Sequence, residues 1–149
     1  MFPMKTFLAA LVFCFAVHLC ALAQGESPCT PDSTRLECLA ERGDIQAQVQ
    51  LGLAAYDAAR SSGDYRDAVI WIHRAAEGGH VAAQYWMGFL IWYGKTGDID
   101  PVEAYMWFDI AAAAGHETAL ESRKQVSPYL TPEQIDQATA LSQQWREAR

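Results

Sequence analysis

Residues 45–80, IQAQVQLGLAAYDAARSSGDYRDAVIWIHRAAEGGH, and residues 81–116, VAAQYWMGFLIWYGKTGDIDPVEAYMWFDIAAAAGH, are two blocks of 36 residues that align without a gap. Ten positions are identical, pairing Ala47 with Ala83, Gln48 with Gln84, Gly52 with Gly88, Asp64 with Asp100, Ala68 with Ala104, Trp71 with Trp107, Ala75 with Ala111, Ala76 with Ala112, Gly79 with Gly115 and His80 with His116. Most of these are residue types that shape or pack a backbone rather than react. A period in this range, with helix-forming content and no strand alternation, indicates a two-helix unit stacked into a solenoid.

Each block divides into a helix A and a helix B at ordinary start and stop signals. Helix A of the second block is expected from about Ala82 to Tyr93, stopping at Gly94. Asp100, Pro101 and Glu103 then fit an N-cap, the first helical position and the reciprocal partner of a capping box. Helix B ends at Gly115, and Gly79 holds the same place in the first block, where a left-handed glycine closes a helix. Asp64 and Asp67 are expected to open the first helix B. Because Ala58 stands where the second block has Gly94, the segment Asp57 to Gly63 reads as the first A-to-B connection. Within helix B, Ala104, Trp107 and Ala111 share one face, as do Ala68, Trp71 and Ala75. The alanines let helices approach, and each tryptophan fills the space between them.

The pattern Ala-Gln-x-x-x-Gly in helix A and Ala-x-x-Trp-x-x-x-Ala-Ala-x-x-Gly-His in helix B resembles the Sel-1-like repeat (SLR) family, over Leu39 to Trp145. Leu39 to Asp44 overlays Ala75 to His80 as the tail of a partial N-terminal unit. Thr118-Ala119-Leu120 opens a third helix A. Thr131 and Gln134 form another capping box at the start of a last helix whose inner side carries Ile135, Ala138, Leu141 and Trp145. The expected repeat domain is therefore 39–145, with units at 45–80 and 81–116 and a divergent capping unit at 117–145. The resemblance implies an all-α chain, a short right-handed α/α solenoid of TPR-like helix-turn-helix repeats. Its members act as adaptors and protein-binding modules, many of them bacterial and exported. It implies no reaction and no cofactor.

The remaining sequence bears on location. The chain has 149 residues, 51% hydrophobic and 19% charged, with a formal charge of -7, a composition that allows one compact domain. Residues 1–23 read as a secretory signal: Lys5 supplies the positive start, Thr6 to Leu22 the apolar stretch, and Ala21-Leu22-Ala23 the small residues of a cleavage site before Gln24. Retention as an anchor is the alternative. The apolar run Phe7 to Leu22 rises about 24 Å as a helix, short of a hydrocarbon core of about 30 Å. Loss of Lys5 with the signal leaves a product at -8, which does not suit nucleic acid or anionic lipid. Cys14 and Cys20 leave with the signal, and Cys29 and Cys38 remain; an exported pair implies one disulfide. In one straight helix their alpha carbons would lie about 13 Å apart, beyond bridging distance, so Cys29 must sit on a leader, 24–38, that folds back onto the start of the first helix.

Candidate reactive residues are sparse. His80 and His116 recur at equivalent positions between a helix B and the next helix A, and read as capping or packing groups; no acidic or cysteine companion stands beside them at metal-ligand spacing. Asp98 and Asp100 flank Ile99, but Asp100 is the expected N-cap and the loop lacks the other oxygen donors of a calcium site. No nucleophile elbow, H-E-x-x-H pair, phosphate-cradling glycine loop or free cysteine with a histidine partner occurs. No catalytic residue, metal ligand or cofactor is assigned.

Helix A of the second block, Tyr85-Trp86-Met87-Gly88-Phe89-Leu90-Ile91-Trp92-Tyr93, is apolar around its whole circumference, unlike a surface helix. Ala83, Met87, Leu90 and Ile91 account for packing. Tyr85, Phe89 and Trp92 form a second stripe, and one period earlier the same positions hold Val49, Leu53 and Tyr56. If the A helices line the concave surface, as the resemblance implies, these six residues form an apolar-aromatic groove for a partner peptide or helix. The alternative is a core stripe, buried by the terminal helix folding over it. The expected function is a periplasmic or secreted, monomeric, non-catalytic adaptor that captures another protein or peptide segment. An inhibitor of a secreted effector and a hydrolase of cell-wall or related small substrates are the competing readings. Glu121 and Asp57, near the groove, favour a basic segment.

Overall fold

The computed structural model describes Cys29 and residues 34–149, and the segment read as a secretory signal lies outside these residues. Seven helices follow in order: α1 Arg35–Glu41, α2 Ile45–Ser62, α3 Arg66–Glu77, α4 Val81–Trp92, α5 Pro101–Ala113, α6 Glu117–Val126 and α7 Pro132–Glu147, with one 3-10 turn, Ser127–Tyr129, before α7. Among the described residues there is no strand. Helices α2 and α3 form the first hairpin and α4 and α5 the second, while α1 is the partial unit packed on α2. Each hairpin packs against the next through α3 and α4, then α5 and α6, giving an α/α solenoid. The last helix, α7, packs principally along α5.

One corner geometry recurs at the 36-residue period. Gly43, Gly79 and Gly115 have φ of 91°, 88° and 91°, left-handed values that glycine adopts without steric cost. The N–H groups of Gly79 and His80 donate to the carbonyls of Ala76 and Ala75, the paired bonds of a Schellman turn; Gly43 with Asp44 and Gly115 with His116 do the same. The residue that ends one helix then starts the next. Asp44 accepts from the Ala47 N–H at 2.8 Å, His80 from Ala83 at 3.3 Å and His116 from Ala119 at 3.1 Å. Three residues make each connection, with the same hydrogen bonds at every corner. Gln48 and Gln84 add a second tie, donating from Nε2 to the carbonyls of Ala40 and Ala76, eight residues back in the preceding helix.

Within a hairpin the helices touch at glycine. A Cβ at Gly52 would lie 2.6 Å from Cγ1 of Ile72, and one at Gly88 would lie 2.8 Å from Cδ1 of Phe108 and 3.1 Å from the Ala104 carbonyl oxygen. Ala68, Ala75, Ala104 and Ala111 are fully buried along the same seams. The core runs through Ile72, Leu90, Ile91, Trp107, Phe108 and Ile110.

Several local expectations change. Residues Asp57–Ser62 are not a connection: α2 continues through them for 18 residues and closes at Gly63, φ 79°. Ala58 is a strong helix former where Gly94 breaks α4, so nothing stops the helix until the next glycine. Asp64 does not cap α3, whose N-cap is Tyr65 without a side-chain bond. Asp64 instead accepts from the Arg66 guanidinium, which, together with the Arg66 backbone N–H, lowers its pKa to about 2. Asp100 caps α5 through Val102 and Glu103, but Glu103 makes no reciprocal bond, so this is a simple cap rather than a box. The box at Thr131 and Gln134 is present, and so is one at Thr34 and Glu37 that opens α1. Cys29 and Cys38 are disulfide-bonded with alpha carbons 4.9 Å apart, which ties Cys29 to α1.

The inner side of α7 is also shifted: Leu141 is 39% exposed, and Ser142 is fully buried in its place. Ser142 donates to the carboxylate of Asp109, a buried acid on α5 that also pairs with Arg123 on α6 and Arg146 on α7. Burial by itself pushes the Asp109 carboxyl up, but the hydrogen bonds from Ser142 and Arg123, the Arg123 charge and Arg146 outweigh it and hold its pKa below the ordinary 3.8. One carboxylate thus fastens three helices of the C-terminal unit.

Two outcomes follow. Gly88→Ala drives a methyl into Phe108 and the Ala104 carbonyl and should destabilise by about 1–3 kcal/mol, read from thermal or urea unfolding. Asp109→Asn leaves two half-exposed guanidinium groups without their carboxylate and should destabilise by about 2 kcal/mol at neutral pH. Because the folded pKa is depressed, the stabilisation from Asp109 is complete above the unfolded value and is lost as pH falls below about 4 toward the folded value. Unfolding curves across that window should therefore converge for the two proteins.

Candidate partner-binding groove

The six residues of the proposed stripe lie on α2 and α4, and all are half-buried. Val49, Tyr56, Tyr85, Phe89 and Trp92 rest their inner edges on the core. The structure brings Tyr56, Tyr85 and Phe89 together: the Phe89 ring centroid is 6.1 Å from that of Tyr56 and 6.4 Å from that of Tyr85. Trp92 faces the other way along α4 and packs on Tyr129 at 5.1 Å. Val49 and Leu53 extend the apolar surface of α2 without joining the ring cluster.

Three rings missing from the stripe complete the cluster. Trp86 lies 5.1 Å from Tyr56, 5.2 Å from Phe89 and 5.9 Å from Tyr85, bridging the two A helices. Tyr65 reaches Tyr56 at 5.5 Å, and Tyr93, 55% exposed, reaches Phe89 at 4.5 Å. Tyr93 follows Phe89 by four residues, one helical turn, a spacing visible in the sequence. Trp86 was hidden by the uniform hydrophobicity of α4, which does not tell the face toward α2 from the face toward α5.

The edges of the cluster are polar. At the start of α4, His116 stacks flat on Tyr85, with centroids 4.7 Å apart and planes 14° from parallel. Burial, then the nearby Tyr93, pushes the Tyr85 hydroxyl above its ordinary value. At the end of α4, the Lys95 ammonium sits 4.5 Å over the Tyr65 ring. The terminal helix α7, the candidate cover for this surface, lies principally along α5 instead, and Tyr129 of the preceding turn meets the stripe at Trp92.

The histidines are capping groups: Nδ1 of each accepts a backbone N–H at the start of a helix A. Asp100 is occupied in the same way. Among the described residues no three His, Cys, Asp or Glu side chains gather closely enough to hold a metal, and no helix is long and apolar enough to cross a membrane.

The Sel1 repeat model matches residues 45–80 and 81–116, the same two windows that the internal repeat defines. The chain is a Sel1-repeat protein. Its fold is similar to the crystal structure of c5321, a protective antigen present in uropathogenic Escherichia coli strains displaying an SLR fold, with a TM-score of 0.67 and 35% sequence identity. That similarity covers 75% of this Sel1-repeat chain and 24% of c5321, so this chain spans about a quarter of that protein's length. No curated protein matches the chain. The Sel1 repeats and the SLR fold indicate a role in protein–protein interaction.

His116→Ala should cost about 1 kcal/mol through loss of the α6 cap, whereas His116→Asn, which keeps an acceptor at that position, should lose only a few tenths. Thermal unfolding with and without added zinc checks this; a zinc-dependent rise in the wild-type midpoint would contradict a purely capping role.

Proposed function

We propose that this Sel1-repeat protein is an exported, non-catalytic adaptor or regulator of the cell envelope, periplasmic in location, that captures a segment of another protein on the aromatic face of its A helices. The observation that carries this reading is the contiguous cluster of Tyr56, Tyr85, Trp86 and Phe89, rimmed by the exposed Tyr93 and not covered by the closing helix. A buried core stripe would have its outer ring edges filled by another element. Here the rings rest on the core and on one another and stay partly exposed, which restricts their motion and leaves apolar area for a partner. Rigid aromatic groups are the residues that carry binding energy in interfaces, because little side-chain entropy is lost on contact.

Export rests on the signal read in residues 1–23 and on the Cys29–Cys38 pair, which suits an oxidising compartment. A non-catalytic role rests on the occupation of the repeat histidines and of Asp100 by helix capping.

Cross-linking of the mature chain in cells, followed by identification of what it captures, tests the reading when the groove is altered. Phe89→Ala with Tyr93→Ala should reduce recovery of the captured protein by about thirtyfold, the equivalent of about 2 kcal/mol of hot-spot loss, while helical circular dichroism is retained. Tyr93→Arg, at a 55% exposed position, provides a variant whose folding is not in question. Undiminished capture by both folded variants would refute the groove, and a mature N-terminus at Gln24 in the periplasmic fraction checks export.

A further inference from the structure

The groove changes character along the solenoid, and the change identifies the chemistry of its occupant. The 36-residue period places Val49 and Tyr85 in register with Glu121, and Leu53 and Phe89 in register with Gln125. The A-helix face is therefore apolar on α2, aromatic on α4 and polar on α6, where Glu121 takes the place of Tyr85. The structure joins these surfaces physically. His116, which stacks on Tyr85, caps α6 and is followed by Glu117 in its first turn. Glu117 and Glu121 line an open depression of about 580 Å³ together with Thr118 and Leu120. Glu117 is in none of the ion pairs among the described residues, and Glu121 holds only the exposed Lys124 at 2.8 Å, a contact that a second cation can share.

The opposite edge carries a positive charge. Lys95 lies over Tyr65 beyond the C-terminal end of α4, so the two ends of the ring cluster differ in sign. Its placement also shows that an ammonium group sits on these tyrosine faces. The chain as a whole is acidic, at -7.

Building on the groove reading above, we propose that the captured segment is a basic one: apolar residues pack on Tyr56, Trp86 and Phe89, and a lysine or arginine at one end meets Glu117 and Glu121. Like charge at Lys95 sets the direction, with the basic end toward α6. Charge complementarity of this kind steers encounter and fixes register, while the rings supply most of the contact area.

Fluorescence anisotropy with short labelled synthetic peptides of leucine, phenylalanine and lysine, and their glutamate and serine counterparts, tests the assignment on the intact mature chain. The lysine peptide should bind tightest, weaken as salt is raised, and lose about fivefold in affinity with Glu117→Gln plus Glu121→Gln, substitutions at exposed positions. Serine or glutamate peptides binding as well as the lysine peptide, or binding of none of the three, would overturn a basic occupant. Release of the lysine peptide by Phe89→Ala but not by the double glutamine variant would leave the groove standing and overturn its charge preference. Lysine-peptide binding that survives Phe89→Ala would instead remove the groove itself. Self-association that Tyr93→Arg breaks and the lysine peptide does not displace would assign the face to a second copy of the chain.

Discussion

The arrangement depends on one hydrogen-bonded corner, used three times. A left-handed glycine lets two carbonyls in the last turn of one helix accept from its own N–H and that of the next residue, and that next residue, Asp44, His80 or His116, immediately caps the following helix. Helix ends otherwise leave orphan donors and acceptors that need water or a loop. Satisfying both ends within three residues keeps the connection short and removes much of the freedom in how units stack. The same constraint explains why a histidine, ordinarily a suspect for metal binding or catalysis, recurs here: Nδ1 is a short-range acceptor at a position that needs one.

Given that corner, side-chain size determines the separation inside each hairpin. Gly52 and Gly88 let the A helix settle onto Ile72 and Phe108, and the buried alanines of helix B let the next unit approach. The glycines make room for the large Ile72 and Phe108 side chains between A and B, and the bulky rings of α4 that are not in the core emerge on the A face. They lean on one another and on Tyr56 from the neighbouring unit. The aromatic surface is thus a consequence of tight packing elsewhere, and its rigidity comes from the same source.

The C-terminal unit is held differently. Where the inner units rely on apolar seams, α5, α6 and α7 converge on the carboxylate of Asp109, with Ser142, Arg123 and Arg146 as donors. A terminal unit of a solenoid lacks a further neighbour to cover its outer face and carries more polar residues. A buried ionic tie gives such a unit a defined seat against α5, and seating α7 there keeps it off the aromatic face. Trp145 adds to this by donating to Glu77 of α3 at 3.2 Å, so the last helix is tied two units back.

What the residues alone determined is the local part: the 36-residue period, the glycine corners, the caps at His80, His116, Asp100 and Thr131, and the hairpin order all depend on contacts within about six residues. Even there, the long α2 was misread, because the absence of a stop signal at Ala58 is harder to see than the presence of one at Gly94. The half of the stripe formed by Tyr56, Tyr85 and Phe89 was legible from spacing and period. Only the tertiary structure decided that Trp86 belongs with those rings, that Trp92 turns toward Tyr129, that Ser142 rather than Leu141 is buried, and that α7 leaves the A face open. The reason is distance along the chain. Asp109 and Ser142 are 33 residues apart and Trp145 and Glu77 are 68 apart. A helix apolar on every side carries no periodic signal to say which of its faces will meet a neighbour.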